Sequence, residues 1–491
     1  VSDDRPPDVE IVLAGDAPVT VAGAAVRAAA LAAGLVERRA GRLEVVVQQL
    51  LVESRTREAV SGETGSQVEV RHDDHSVEVV LRDRRLPLDP EEHRRAGSRR
   101  LAHLGFVDHL EVAAEGESGN VARCTVHLDE EVLHRTATGG DVEVLDDAAP
   151  RVDDEVAASV VIRPMTAQDA VGVARCVYRC YGYSYLDPTM YRPQQLQRAL
   201  DSGVVRSLVA VTGSGEVVGH IALTYQHLDD RVPEGGKLVV DPRFRGHHLA
   251  DRLGRARLDW ARELGLPGIW VECVTNHEFS QHEVLGLGAA ETGFLVGAQP
   301  ATVHMEAVAN AVEGRHSLLA MYLPVSSTPP GALHVPERHA DLLAVIVDRL
   351  GLDRTITTAV VPPSAATTAS VLTLSPSAGL AEVRVDCIGA DLADHLADQL
   401  ESLAALDLAV VHLDLPADDP SATWAADEAE HLGWFLGAWL PCVSPSGDVV
   451  RLQRLAGRPV DNVHVVCARP EGEAVRDHVL AEWRRVVRGL P

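Results

Sequence analysis

Residues 234–265, EGGKLVVDPRFRGHHLADRLGRARLDWARELG, restrict the fold more than any other stretch. Lys237 to Val240 is a short apolar strand ended by Asp241-Pro242, and Leu249, Leu253, Ala256, Trp260 and Leu264 then recur at helical spacing. Between them lies the loop Arg243-Phe244-Arg245-Gly246-His247-His248. A loop that opens a helix presents N–H groups lacking intrahelical partners, together with the positive end of the helix dipole. That setting suits a pyrophosphate. Arg243 and Arg245 add positive charge, and Gly246 permits close backbone approach. Strand–loop–helix units of this kind belong to the α/β (α+β) class, with mixed sheets flanked by helices.

The 491 residues leave room for about three domains. Segment 1–130 reads as helix–helix–strand–strand–helix–strand–strand, predicting a mixed sheet covered by helices on one face. Its first hairpin is SQVEVRHDDHSVEVVLRDR, turned at Asp73-Asp74-His75-Ser76; its second is HLEVAAEGESGNVARCTVHL, turned through Gly116, Ser118, Gly119 and Asn120. Residues 131–159, acidic and carrying Gly139-Gly140 and Pro150, read as a linker. A second globular segment, 160–325, ends at the Ser, Pro and Gly cluster of 326–333. Segment 334–491 opens with the helix ERHADLLAVIVDRLGL and then alternates strands with helices.

A formal net charge of −27 excludes general binding to phosphate backbones or anionic lipid, so neither nucleic acid nor membrane is an expected partner. No apolar run approaches the ~20 residues of a membrane span. The stretch VSDDRPPDVE does not resemble a secretory signal, and seven scattered cysteines make no disulfide framework, so the expected location is cytoplasmic. Cys176 and Cys180 stand four apart on a helix without a companion pair at zinc spacing, so no metal is expected. Lys237 is the only lysine in the chain, which fits a surviving surface residue better than a catalytic one.

The stretch around the loop resembles the GNAT family of N-acetyltransferases. The family's acyl-CoA loop reads Q/R-x-x-G-x-G/A after a strand ending in V-x-P. Arg243, Gly246 and the preceding VVDP match, and His248 stands where the second Gly or Ala belongs. The likeness runs in order through 160–325. VVIRPMTAQDAVGVARCVYRCYGYSY is similar to the opening strand and first helix, and LVAVTGSGEVVGHIALTY, with Gly213, Gly215 and Gly219, to the central hairpin. GIWVECVTNHEFSQHEVLGLGAAETGFL is similar to the splayed fifth strand, the following helix and the last hairpin. The resemblance implies acetyl-CoA or another acyl-CoA as co-substrate. Val239, Val240, Arg243, Arg245, Gly246, His247, His248 and Leu249 would hold it, and the acceptor would be an amine of a small molecule or a protein.

In that family an amine attacks the thioester and a base takes its proton. The base is commonly a Glu about eight residues before the strand-ending proline, the place Glu234 holds relative to Pro242. Beside Pro233 and Gly235-Gly236, the same residue also fits a solvated turn. The family's acid is a Tyr in N-x-x-A-x-x-x-Y-x-x-x-G-F, and the spacing puts Val284 there, which cannot donate. Tyr225, His220, His277 and His282 are the substitutes within reach; otherwise the thiolate leaves unassisted, or the domain does not catalyse the step. Tyr183 and Tyr185 of YGYSY, with His277, are candidates for the acceptor-site wall, and helix-end packing accounts for the tyrosines equally well.

The first segment resembles the GHKL ATPase fold of anti-sigma-factor kinases through LEVVVQQLLVESRTREAV, VEVVLRDRRLPLDPEE and RRLAHLGFVDHLEVAAEGESGNVARCTVHL. The family's E-x-x-x-N is replaced by Gln49 and Glu53, Asp83 is followed by Arg84-Arg85 rather than a glycine box, and only Asp89-Pro90 and AGSRR remain. The resemblance therefore implies a degenerate fold for packing or for a protein partner, without ATP. The last segment, through ATWAADEAEHLGWFLGAWLPC and DVVRLQRL, resembles the end of a second GNAT-like unit. No R-x-x-G-x-G loop follows its strand AEVRVDCIGAD, so this half is expected to wall the acceptor pocket rather than bind CoA, with Trp424, Trp434, Phe435 and Trp439 as core. The expected activity is acyl transfer to an amine. The alternatives are a non-enzymatic regulator of partner-switching type and a biosynthetic transferase with an unusual acyl donor.

Overall fold

The computed structural model describes residues 7–14, 18–57, 59, 65–73, 76–87, 98, 101–102, 106–116, 119–128, 139, 142–146, 148–185, 187–226, 229–300, 314–375, 379–404, 408–456 and 465–489. The chain divides into two compact units, Val1–Gly140 and Asp141–Pro491.

The first unit is a sheet with two helices packed on it. Helices α1 (Val19–Ala32) and α2 (Glu37–Arg55) bury Ala22, Val26 and Ala30, and Leu43, Val46, Val47, Leu50 and Leu51. The strands are β1 (Val9–Leu13), β2 (Ser66–His72), β3 (Ser76–Asp83), β4 (His109–Ala114) and β5 (Asn120–His127), in the order β1-β2-β3-β5-β4. Every described pairing is antiparallel, where a mixed sheet was expected, and β1 precedes the first helix as an additional edge strand. Asp74 and His75 of the first turn, Ser118 of the second, Asp89-Pro90 and most of HRRAGSRR lie outside the described residues.

The second unit is built on a 12-stranded mixed sheet. Its elements are α3 (Asp154–Ala158), β6 (Val161–Pro164), α4 (Ala170–Tyr181), α5 (Pro193–Asp201), β7 (Val205–Val211), β8 (Val217–Thr224), β9 (Glu234–Val240), α6 (Leu249–Glu263), β10 (Gly268–Val274), α7 (Phe279–Gly286), β11 (Ala290–Gln299) and β12 (His316–Pro324). There follow β13 (Gly331–His334), α8 (Glu337–Leu350), β14 (Arg354–Thr357), β15 (Ala369–Ser375), β16 (Leu380–Cys387), α9 (Leu392–Ala404), β17 (Val410–Pro416), α10 (Ala422–His431), β18 (Phe435–Ser444), β19 (Gly447–Leu455) and α11 (Pro470–Gly489). The strand order is β15-β16-β17-β19-β18-β11-β12-β10-β9-β8-β7-β6, while β13 and β14 pair separately.

Apart from β7 and β6 at one edge, that order is a palindrome about the contact of β18 with β11. The run β8-β9-α6-β10-α7-β11-β12 has the same order of elements as β15-β16-α9-β17-α10-β18-β19. In each run the first pair is antiparallel, the second parallel and the third antiparallel. The runs meet where β11 pairs with β18 antiparallel at Gly293↔Ala438. Trp434, Phe435 and Trp439 are buried in the second run.

One glycine makes this junction possible. A Cβ on Gly293 would lie 2.2 Å from the Ala438 Cβ and 2.4 Å from the Gly437 carbonyl oxygen, so any side chain pushes β18 away. Gly293→Val is expected to destabilise the second unit by about 1–3 kcal/mol, as core overpacking does. Urea unfolding followed by tryptophan fluorescence should show a lowered midpoint and two resolved transitions; a wild-type curve would mean that the junction does not couple the runs.

Candidate active site

The two runs differ where their parallel strands meet. β16 and β17 are zipped over five pairs, Leu380↔Val410 to Arg384↔Asp414. β9 and β10 touch at one, Trp270↔Glu234, and then separate. A bulge accompanies the separation: between Gly236 and Val239, β9 takes three residue steps where β8 takes two. Lys237 sits in it at φ 55°, a left-handed conformation that costs a non-glycine residue roughly 1–2 kcal/mol. His220 clamps the bulge. Its Nδ1 donates to the Lys237 carbonyl at 2.9 Å, which leaves Nε2 to accept from Ser207 Oγ at 3.0 Å. Burial lowers His220 to about 4, so the ring is neutral, and both its nitrogens are occupied in holding the backbone.

The gap between β9 and β10 leads to the loop. Asp241 N–H donates to the Val218 carbonyl at 2.9 Å, so the adjacent Val240 turns its amide edge to the gap, while the Val239 side chain is buried. Gly246, at φ 86°, and His248, at φ 55°, bring the chain to the start of α6, whose Leu249 is buried. A Cβ on Gly246 would meet nothing within 4 Å, and the His248 side chain is 83% exposed, so the first amides of α6 lie behind an open surface. The guanidinium of Arg243 does not face it: Nη2 donates to Glu216 at 2.6 Å and to Asp241 at 2.8 Å. Fully buried Asp241 also accepts from Arg179 Nε at 2.6 Å, so Arg243 shapes the loop from behind. Arg245 is half-buried, and His247 Nδ1 meets Asp154 at 3.0 Å. The stretch 151–158, read as linker, supports the loop: Val152 N–H donates to the Arg243 carbonyl, and Arg252 donates to the Ala157 carbonyl.

Glu234 stands at the far end of β9 from this loop, roughly 20 Å away at ~3.3 Å per residue. An extended pantetheine arm is of that order. Burial raises the Glu234 carboxyl above the ordinary carboxylate range, and the charges of Lys237 and Arg451 oppose the shift. Lys237 Nζ pairs with Asp187. Tyr185 lies in the field of Asp187 and Glu234 and, raised chiefly by burial, keeps its proton; its ring is 5.2 Å from Tyr181. Tyr183 packs between Tyr178 at 4.9 Å and Tyr191 at 5.6 Å, in the core under α4. Tyr225 follows Thr224, the partner of Glu234, and its ring lies under Arg206 at 5.7 Å, on the other face. His277 follows β10, with Nδ1 accepting from Phe279 N–H at 3.3 Å. It belongs to the loop end of the gap rather than to the Glu234 end.

Four charged residues absent from the expected set complete the site. Glu272 lies two residues beyond Trp270 on β10, and burial, followed by the Glu234 charge, pushes it up to about 8. Arg451 on β19 is fully buried with its guanidinium 5.5 Å over Trp270; it donates to Asp414 at 2.7 Å and to Glu382 at 2.5 Å, and stands 3.9 Å from Glu272. The signal for Glu272 was a carboxylate inside the apolar run GIWVECV. The other three come from the second run, and only the sheet topology brings them here.

In that second run the equivalent loop is closed by its own chain. Ala390 N–H donates to the Ala365 carbonyl at 2.9 Å, and Gly389 N–H to Thr368 Oγ1 at 3.1 Å. A Cβ on Gly389 would lie 2.2 Å from the Thr367 carbonyl carbon. Asp391, before α9, accepts from Thr368 N–H at 2.6 Å.

The first unit is filled in the same manner at its candidate nucleotide position. Buried Asp83 accepts from Arg57 Nη2 at 2.8 Å, Asn120 Nδ2 at 2.8 Å and Arg85 N–H at 3.2 Å. Glu53 accepts from Ser98 N–H at 2.7 Å and Gln49 Nε2 at 2.9 Å. A cavity of about 20 Å³ remains between them, room for a water. Among the described residues no three His, Cys, Asp or Glu side chains converge as a metal site, and no helix is long and apolar enough to cross a membrane.

Residues 172–284 match the sequence model of the acetyltransferase (GNAT) family. The chain is similar to a dodecameric spermidine N-acetyltransferase from Vibrio cholerae, 18% identical, covering 34% of this chain and 95% of that one at a TM-score of 0.28. It is also similar to a ribosomal-protein alanine acetyltransferase from Vibrio fischeri, 13% identical, covering 35% and 96%, with a TM-score of 0.28. No curated protein matches the chain.

The filled cavity of the first unit gives a direct test. Asp83→Ala strips a buried carboxylate from Arg57 and Asn120, and should cost that unit about 2–4 kcal/mol. Thermal unfolding should show the loss, while Mg-ATP leaves the wild-type midpoint unchanged. A wild-type midpoint raised by ATP would mean that Arg57 swings aside for nucleotide.

Proposed function

We propose that the second unit is an acyl-CoA-dependent N-acyltransferase that moves an acyl group, acetyl in the simplest case, to an amine. The observation that carries this reading is the single-pair contact of β9 and β10 at Glu234, opening toward a left-handed loop at the start of α6. The amides following Gly246 hold the pyrophosphate, and the positive end of α6 favours its charge. The pantetheine arm runs through the gap along Val240 and past the Lys237 bulge, and the thioester arrives toward Glu234.

The amine nitrogen attacks the thioester carbonyl carbon, and Glu234 takes the proton that the nitrogen sheds. The tetrahedral intermediate collapses with cleavage of the C–S bond, and the sulfur leaves as a thiolate. Val284 is buried and apolar where the family places its acid, and Tyr225 lies on the wrong face, so the leaving thiolate departs unassisted. A thiol with a pKa near 8.5 is a tolerable leaving group without a proton donor. The acceptor site is bounded by Tyr185 and Asp187 on one side and by the second run on the other. That run is read as a GNAT-like half without a cofactor loop, since its amides are already taken. The first unit is read as a degenerate nucleotide fold for packing or a protein partner.

Two variants test the reading. Gly246→Asn, a residue that tolerates a positive φ and meets no atom within 4 Å here, should keep the unfolding transition yet lose at least tenfold in CoA affinity by calorimetry; unchanged affinity rejects the loop. Glu234→Gln should keep CoA affinity and lose about 10²–10⁴-fold in turnover. The wild-type rate should rise with pH as the raised Glu234 carboxyl ionises, and the variant should lack that limb. Equal profiles would leave the amine's own ionisation as the only titration.

A further inference from the structure

The charges around Glu234 do not balance. Glu234, Glu272, Glu382 and Asp414 face one another across the two runs, and Arg451 is the cation among them. Its guanidinium is committed to Asp414 and Glu382, and Glu272 stands at 3.9 Å from it. Lys237 is taken by Asp187. Deeper in the same cluster lies His412, 1% exposed, with both ring nitrogens unpartnered. It is the register partner of Glu382 on β16 and of Gln453 on β19, and it shares its strand face with Asp414, so its ring points into the carboxylate side. A buried imidazole normally has its polar atoms satisfied, and this one offers a lone pair with nothing donating to it. Held neutral by burial, it is an acceptor for an N–H group.

We propose that the acceptor is a small dication. Its reacting nitrogen faces Glu234, and a second ammonium group lies between Glu272 and Glu382, donating to His412. The inference rests on the acyltransferase reading and deepens it by naming the substrate class. A metal ion does not fit the place, since among the described residues no three ligands converge. His412 and Glu382 are buried, so the second group has to be small, which favours an ammonium on an alkyl chain over a peptide. An alkyl diamine supplies the missing charge, the donor for His412 and a thin apolar stem to pass Trp270.

The test is calorimetric titration of the full chain, without acyl donor, with 1,4-diaminobutane and with n-butylamine, alongside a separate titration with CoA. The diamine should bind at least tenfold tighter than the monoamine. Glu272→Gln, an isosteric change at a half-buried position, should remove that preference and leave butylamine and CoA affinities as they were. Glu272→Lys, which brings its own ammonium group, should bind the monoamine and refuse the diamine. Equal affinity for the two amines in the wild type, with CoA still bound, overturns the dication site and leaves the acyltransferase reading standing. A diamine preference that survives Glu272→Gln also overturns it. A preference lost in Glu272→Gln by a protein that never binds CoA supports the dication site and overturns acyl transfer.

Discussion

The antiparallel contact of β11 with β18 at Gly293 governs the second unit, because it turns two runs of strands into one sheet. Through it Arg451, Glu382 and Asp414 stand beside Trp270 and Glu272, residues far from them in sequence. The contact is possible because Gly293 has no side chain, and Ala438 opposite has a minimal one. Each run contributes charged side chains from one strand face. Joined, the faces make a half-buried place where charge is felt strongly, since the effective dielectric falls as water is excluded.

The same order of elements has been put to two uses, and the difference is one of backbone hydrogen bonds. In the second run β16 and β17 pair along five residues, and the amides before α9 are met by Ala365 and Thr368. In the first run β9 leaves β10 after one pair, and the amides at the start of α6 have an open surface before them. The Lys237 bulge is strained, and its strain is held by His220 and by the pair with Asp187. Strain of this kind persists where the surroundings over-determine it, and it gathers where a chain must present its backbone to a ligand. The lone lysine of the sequence is thus a half-buried bulge residue rather than a solvated surface one.

Much of the path from strand to loop to helix was legible in the sequence, because it is local. Asp241-Pro242, Gly246 and the spacing from Leu249 to Leu264 each act on their own neighbours, and the acetyltransferase match falls across the same residues. The wider site was less legible. Arg243 carries the right charge at the right spacing, but Glu216, just before β8, and Asp241 turn it inward, a contact that only the hairpin creates. Histidines at plausible positions were likewise settled by partners: His220 by Ser207 and the bulge, His277 by its place beyond β10. Arg451 and His412 lie in a segment whose local pattern speaks of strands and core, and nothing near them in sequence points to Glu234.

That such a cluster persists is itself informative. Burying a guanidinium and several carboxylates costs several kcal/mol per ion before their attraction is counted, and replacement of such groups by apolar residues is often neutral or stabilising. Stability is thus a weak reason for four acids and one arginine to share an interior. The second unit already has an apolar core in Trp270, Phe294, Trp434 and Trp439 that does not need them. An excess of acid over base in a low-dielectric place raises the affinity of the carboxylates for protons, as the upward shift of Glu272 to about 8 expresses. A proton and an ammonium group answer the same field. The arrangement that makes Glu272 hold its proton is therefore the one that would make it exchange that proton for a cationic ligand, and the same field raises the Glu234 carboxyl beside it.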